Sequence, residues 1–352
     1  MKTRLPVTVL SAVVAFATSP GCQWQSGPPP VPAAIAATPS AFPELKLTPA
    51  DYPRVDGSTS TEPLQRVIAC KIFDAPFQWH HSEADDSRYV GASDVYESMV
   101  NDSYRGEKEE LCEYINSAAT HRGTDKAYVN LIESRVDFIL VARTASPDEL
   151  QLASERQVEL DEQPVALDAF VFLLNNQNSV KSLTLAQIRD IYSGRAKNWR
   201  QVGGSNAEIH PYQRTRNSGS QELMQSLVMK DRKMIKAPDL LTGTLMASPF
   251  LAIDDDVQGI GYSVYFYQEF MSPPAAIRAC AVEGVVPSSE NLRSRKYPLV
   301  TDVYVVVRRD LPPDHSALKL RDWLLTPAGQ SVVEESGYVP ILELPAEAEG
   351  KD

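Results

Sequence analysis

The sequence predicts an α/β fold with mainly parallel sheets, and three observations carry that expectation. From Tyr52 onward, short apolar runs alternate with amphipathic stretches, the order that lays helices over the faces of a sheet. The run "LDAFVFLLN" (167–175) is almost continuously apolar, as a strand covered on both faces must be. Three hydroxyl-rich or cationic segments fall where a predicted strand hands over to a predicted helix. At 352 residues and 43% apolar composition the chain can bury large cores, and its size suggests about two domains.

Taken in order, the first residues are not part of that fold. In "MKTRLPVTVLSAVVAFATSPGC" Lys2 and Arg4 precede an apolar stretch and then small residues. Residues 1–21 therefore read as a secretory signal, too short and too weakly flanked to span a membrane. Cleavage after Ala17 would release a free exported protein. Processing at Gly21-Cys22 would instead leave Cys22 acylated and the protein anchored to the membrane by lipid. The Pro- and Ala-rich stretch 22–49 favours the second reading, because it should form an extended tether with no core of its own.

Beyond the tether, "TEPLQRVIACKIF" has helical apolar spacing with Thr61 as a natural N-cap and Pro63 in the first turn. "EELCEYINSA" and "DKAYVNLIES" read as helices, and "VDFILVA" (136–142) as a buried strand. "TLAQIRDIYSG" is a helix capped by Thr184 and stopped by Gly194. A short strand "EIHPYQR", a helix "SQELMQSLVMK" and a strand in "GIGYSVYFY" follow. "PLVTDVYVVVR" (298–308) is a long strand, and two helices separated by a Pro-Ala-Gly break close the chain. Residues 75–108 are polar and read as a loop-rich insertion. Cys70 and Cys112 fall on predicted helices. An export compartment would permit a disulfide between them, and buried free thiols are the other reading.

The candidate chemistry sits at the three junctions: "DGSTST" (56–61), "THRGTDKAY" (120–128) and "RTRNSGSQE" (214–222). A helix N-terminus presents N–H groups without internal partners and a partial positive charge, so it accepts anions. Serine and threonine hydroxyls add donors, and Arg214 adds a planar fork matched to a tetrahedral oxyanion. Any one such segment is ordinarily just an N-cap. With a net charge of −12, the whole-molecule field repels anions, so local geometry must do the binding. The acidic balance and the lack of a Lys/Arg run also argue against a nucleic-acid partner.

These segments resemble the phosphate-binding lipoproteins of phosphate ABC transporters, in the type II periplasmic-binding-protein superfamily. Asp56-Gly57-Ser58-Thr59 matches that family's first ligand step. Arg214, Ser218 and Gly219 fill its R-x-x-x-S-G-T motif, with Ser220 in place of the threonine. "LTLAQIRDIYSGRAKNW" and the "LLTPAGQSVVEESGYVPI" ending are similar to family segments, in the family's order. The resemblance runs from about Tyr52 to Ile341 and implies a two-lobed protein, with lobe I at 50–168 plus 298–352 and lobe II at 169–297. It implies an interlobe cleft holding phosphate through Ser58, Thr59, Thr124, Arg214, Ser218, Gly219 and Ser220, delivery to an ABC permease, and a monomer. Members specific for phosphate often carry an aspartate where this chain has Arg143. Two readings of Arg143 stay open: a further ligand, or a hinge-side salt bridge.

An enzyme is the rival class. His80, His81, Glu83, Asp85 and Asp86 could recruit a metal for phosphoester hydrolysis, though a solvated polar insertion accounts for them as well. "DDDVQG" (254–259) lacks the distal Glu of a calcium loop, and no P-loop, G-x-S-x-G or H-E-x-x-H motif is present. No catalytic residue, metal or cofactor is expected. A third class is an oxyanion sensor or scaffold without a transport role.

Overall fold

The computed structural model describes residues 30–81, 88–92, 108–237, 242–243, 245–271 and 276–343. The signal segment, Cys22, Glu83, Asp85 and Asp86 lie outside the described residues. Strand β1 (Val55–Gly57) leads through a 3-10 turn (Thr59–Thr61) into α1 (Glu62–Ile72), and the hairpin β2 (Phe77–His81) and β3 (Arg88–Ala92) follows. Helices α2 (Glu109–Ala118) and α3 (Thr124–Ile132) precede β4 (Phe138–Val141), and α4 (Pro147–Arg156) precedes the long β5 (Leu160–Asn175). Next come β6 (Ser182–Leu183), α5 (Leu185–Tyr192), β7 (His210–Pro211), β8 (Gln213–Arg214) and α6 (Gly219–Leu223), which runs on into a π-helical turn. Strand β9 (Thr242–Gly243), helix α7 (Ser248–Asp254), β10 (Gly259–Val264), β11 (Ile277–Val282) and α8 (Ser289–Arg293) complete the middle of the chain. It ends with β12 (Val300–Arg308), α9 (Ser316–Leu324), α10 (Pro327–Glu335) and β13 (Val339–Pro340).

The architecture is mixed α/β in two lobes that share β5. From Leu160 to Ala169 this strand pairs with β12, and from Phe170 to Leu174 it pairs with β10. The first lobe orders its strands β1-β4-β12-β5, and the second carries β10 with β7 and β11 with β6. Parallel pairing is found at β1/β4, β7/β10, β6/β11 and β8/β9. It does not predominate as expected, because β5 and β12 run antiparallel to all their sheet neighbours. A strand that crosses between lobes and the strand that returns beside it run in opposite directions.

Both faces of the first-lobe sheet are covered, which explains its apolar runs. On β4, Phe138 and Leu140 join the main core, while Ile139 and Val141 join a second cluster with Tyr128, Leu131 and Val306. Successive side chains of a strand point to opposite faces, so this split is what a doubly buried strand produces.

Four sequence expectations need correction. The insertion is not all loop, since β2 and β3 pair from Phe77 to Ala92. The stretch 22–49 is not a free tether over its described part: Ile35, Leu45 and Leu47 are buried in the core and Phe42 packs against Trp323 in a tilted arrangement with ring centroids 4.7 Å apart. Its few apolar side chains are spaced well enough to dock. Thr61 occupies the N-cap position of α1, but its side chain makes no capping bond; its hydroxyl lies instead within donating distance of the carbonyls of Leu140 at 2.7 Å and Ser58 at 2.9 Å. Cys70 and Cys112 are buried thiols and not a disulfide. Burial pushes the Cys70 thiol up to about 12, so it stays protonated and unreactive.

Candidate anion-binding cleft

Strand β1 and α3 are zipped together by one buried carboxylate. Asp56 accepts from the backbone N–H groups of Gly57 at 2.8 Å and Arg122 at 3.0 Å, and from Asn130 Nδ2 at 2.7 Å. Thr120 Oγ1 donates to the Val55 carbonyl at 2.6 Å. Two helix starts are thereby brought side by side: the turn at Thr59 that opens α1, and Thr124 at the head of α3. Gly57 is required here, since a Cβ would collide with the Leu140 carbonyl and the Gln65 side chain. Ser58 Oγ then lies 2.7 Å from Thr124 Oγ1 and accepts from Ala142 N at 3.3 Å.

The second lobe brings Arg214. Its backbone N–H donates to Tyr262 Oη at 3.0 Å, and Tyr262 in turn donates to Gln221 Oε1. Its Nε donates to the Gly243 carbonyl at 3.2 Å across the β8/β9 pair. The side chain is buried, and burial pulls the guanidinium pKa down, against the opposing influence of Tyr262 and Tyr267. Ser218 caps α6 by accepting from Gln221 N at 3.3 Å, and Asn217 before it holds a left-handed φ of 67°.

These pieces face one another across a cleft of about 570 Å³ lined by Ser58, Thr59, Thr124, Arg214, Ser218, Gly219 and Ser220, among others. Seven of the eight residues read as ligands from the sequence meet there. At one point the jaws touch: a Cβ on Gly219 would sit 2.6 Å from Thr124 Oγ1. Chemically the lining offers hydroxyls, helix-start N–H groups and a buried fork of N–H donors, a set made to surround an oxyanion.

Arg143 is the exception. It does not line the cleft but forms a two-pronged buried ion pair with Glu149, Nη1 to Oε2 at 2.7 Å and Nη2 to Oε1 at 2.8 Å. Burial alone would depress this guanidinium; the Glu149 hydrogen bonds and charge outweigh it and the net shift is upward. Of the two sequence readings, the salt bridge holds and the ligand reading falls. Glu149 is also the third residue of α4, where it completes a capping box with Ser146.

The sequence matches the PBP superfamily domain over residues 81–328, which is most of the chain. The chain belongs to the PBP superfamily. Among curated relatives, it is 25% identical over 224 residues to the phosphate-binding protein PstS of Staphylococcus epidermidis, covering 62% of this chain and 67% of that one. It is 25% identical over 275 residues to the protein SphX of Synechococcus elongatus, covering 73% and 77%. Among solved structures, a putative phosphate ABC transporter substrate-binding protein with bound phosphate from Clostridium perfringens superposes with a TM-score of 0.57 at 20% identity, covering 82% of this chain and 98% of that one. An ABC-type phosphate transport receptor from Vibrio cholerae gives 0.55 at 20% identity, over 81% and 98%. At such identities the structural likeness speaks for the fold.

Sequence reasoning missed several lining residues of this PBP-superfamily cleft. Ser60, Arg122 and Asp125 line it, as do Leu245, Met246 and Val264. The first three lie inside the segments 56–61 and 120–128 that also carry Ser58, Thr59 and Thr124. Met246 gave no signal at all: it reaches the site because it follows β9, where its sulfur lies 3.3 Å from Arg214 Nη1. The adjacent histidines fall on β2 at His80 and His81. No group of three metal-ligating side chains is assembled among the described residues, and none of their helices is long and apolar enough to cross a membrane.

Proposed function

We propose that this chain is an extracytoplasmic solute-binding protein that captures inorganic phosphate in the interlobe cleft and delivers it to an ABC permease. The observation that carries the reading is the convergence of Ser58, Thr59 and Thr124 from one lobe with Arg214, Ser218, Gly219 and Ser220 from the other on a single cleft. The hydroxyls and N–H groups surround the anion, and the Arg214 fork takes two of its oxygens. Because the ligand touches both lobes only when they are together, it stabilises the closed form by its differential affinity. The relatives named for phosphate binding support this choice of anion. A secretory signal at 1–21, lipid attachment at Cys22 and a monomeric state complete the proposal, and the chain has no catalytic task in it.

With Arg143 committed to Glu149, a carboxylate that could accept the proton of a hydrogen phosphate must come from elsewhere. Asp125 stands in the cleft lining, and burial, reinforced by Glu149, raises its pKa. The test is thermal unfolding of the phosphate-stripped protein with phosphate, arsenate, sulfate and molybdate added separately. Phosphate and arsenate should raise the midpoint as their concentration passes the dissociation constant, and sulfate should raise it less. If no anion shifts it, the proposal fails. Equal shifts with phosphate and sulfate would remove Asp125 from the account and leave oxyanion capture in place.

A further inference from the structure

Arg216 stands in the cleft lining beside the anion cradle, yet its guanidinium is turned across the mouth of the cleft. Its Nη2 lies 3.0 Å from Asp148 Oδ2. The two partners belong to different lobes: Arg216 follows β8, and Asp148 is the second residue of α4. Both are held from behind. Asp148 sits on a helix start fixed by the Ser146–Glu149 capping box and by the buried Arg143–Glu149 pair. Arg216 precedes Asn217, whose left-handed backbone turns the chain into the Ser218 cap. The exposed pair is therefore mounted on a capped helix start on one side and a turn leading into a capped helix on the other, and it joins the two lobes at the cleft.

We infer that Asp148 and Arg216 form a latch that favours the closed cleft and slows anion release. This rests on the phosphate-capture reading for its ligand, though not for its effect on shape. Simple electrostatics and the latch make opposite predictions. Deleting a carboxylate at the mouth of an anion site should tighten anion binding if Arg216 serves only as a cation for the ligand, since Asp148 both repels the anion and occupies the guanidinium. If the pair is a latch, the same deletion weakens binding, because closure loses one of its contacts. Exposed ion pairs are worth little, so the expected loss is modest, about two- to fivefold.

The experiment compares wild type, Asp148→Asn and Asp148→Glu. Affinity and dissociation rate for inorganic phosphate are measured at low and at roughly 1 M salt, where exposed pairs are screened. X-ray scattering is recorded without ligand. The latch predicts weaker binding and faster release for Asp148→Asn at low salt, recovery in Asp148→Glu, and convergence of all three at high salt. It also predicts a larger radius of gyration for ligand-free Asp148→Asn. Tighter or unchanged phosphate binding in Asp148→Asn overturns it, as does an unchanged radius. If wild type binds no phosphate, the functional proposal is what fails, and the scattering comparison still decides the latch.

Discussion

Arg143 and Arg214 are both buried guanidiniums, and what separates them is where their donors go. Arg143 spends its two terminal nitrogens on Glu149, whereas Arg214 lies along the cleft wall. Arg143→Ala should therefore cost stability, by about 3 kcal/mol or more, because it leaves a buried carboxylate without its partner. Chemical denaturation measures that directly; a loss under about 1 kcal/mol would contradict the pair's structural role. At Gly219 the reverse holds. A methyl there meets Thr124 Oγ1 at 2.6 Å, so Gly219→Ala should obstruct closure and weaken phosphate binding roughly tenfold, the order of a tight contact costing 1–3 kcal/mol. Its unfolding midpoint without ligand should barely move. The partner of Arg143 was hard to read from sequence because Glu149 is six residues on, inside a Ser-Pro-Asp-Glu helix start that looks self-sufficient. Arg214 was legible because its motif places the arginine, the hydroxyls and the glycine within seven residues.

At the scale of elements, β5 determines the two-lobed architecture. Its near-continuous apolar run announced burial, and its changeover of partners between Ala169 and Phe170 makes it the link between the lobes. Beside that changeover sits Asp168, fully buried, with Oδ1 accepting from Ala169 N at 2.8 Å and Phe266 N at 3.0 Å. Burial pushes its pKa up to about 7, against the pull of those backbone donors. The folded state thus holds a proton that the unfolded chain releases near pH 4. Stability should then be greatest in this respect below about pH 4, fall as pH rises, and level off above about 7. Asp168→Asn should flatten that fall in urea titrations across pH 4–8; an unchanged slope would show that Asp168 is not its source. Neither this protonation nor the antiparallel course of β5 could be read from the sequence, since both depend on which strands become neighbours. Helices α1, α2, α3, α5, α9 and α10 were legible from caps and period, whereas α4, α7 and α8 were not read from the sequence. The docked segment 30–49 was not, because proline-rich composition conceals how few apolar side chains are needed to anchor a strap.

For the whole molecule, the central claim is that one oxyanion is held by groups from both lobes. The acidic net charge of −12 works against such a ligand at long range, so the affinity must come from the short-range fork, hydroxyls and N–H groups of the cleft. The most direct test is calorimetric titration of phosphate-stripped protein with inorganic phosphate, wild type beside Arg214→Ala. The account predicts one site per chain in wild type and a loss of about thirtyfold or more in the variant, the order expected for truncating one side of a buried charged contact. No binding heat in wild type, or undiminished affinity in Arg214→Ala, would contradict it.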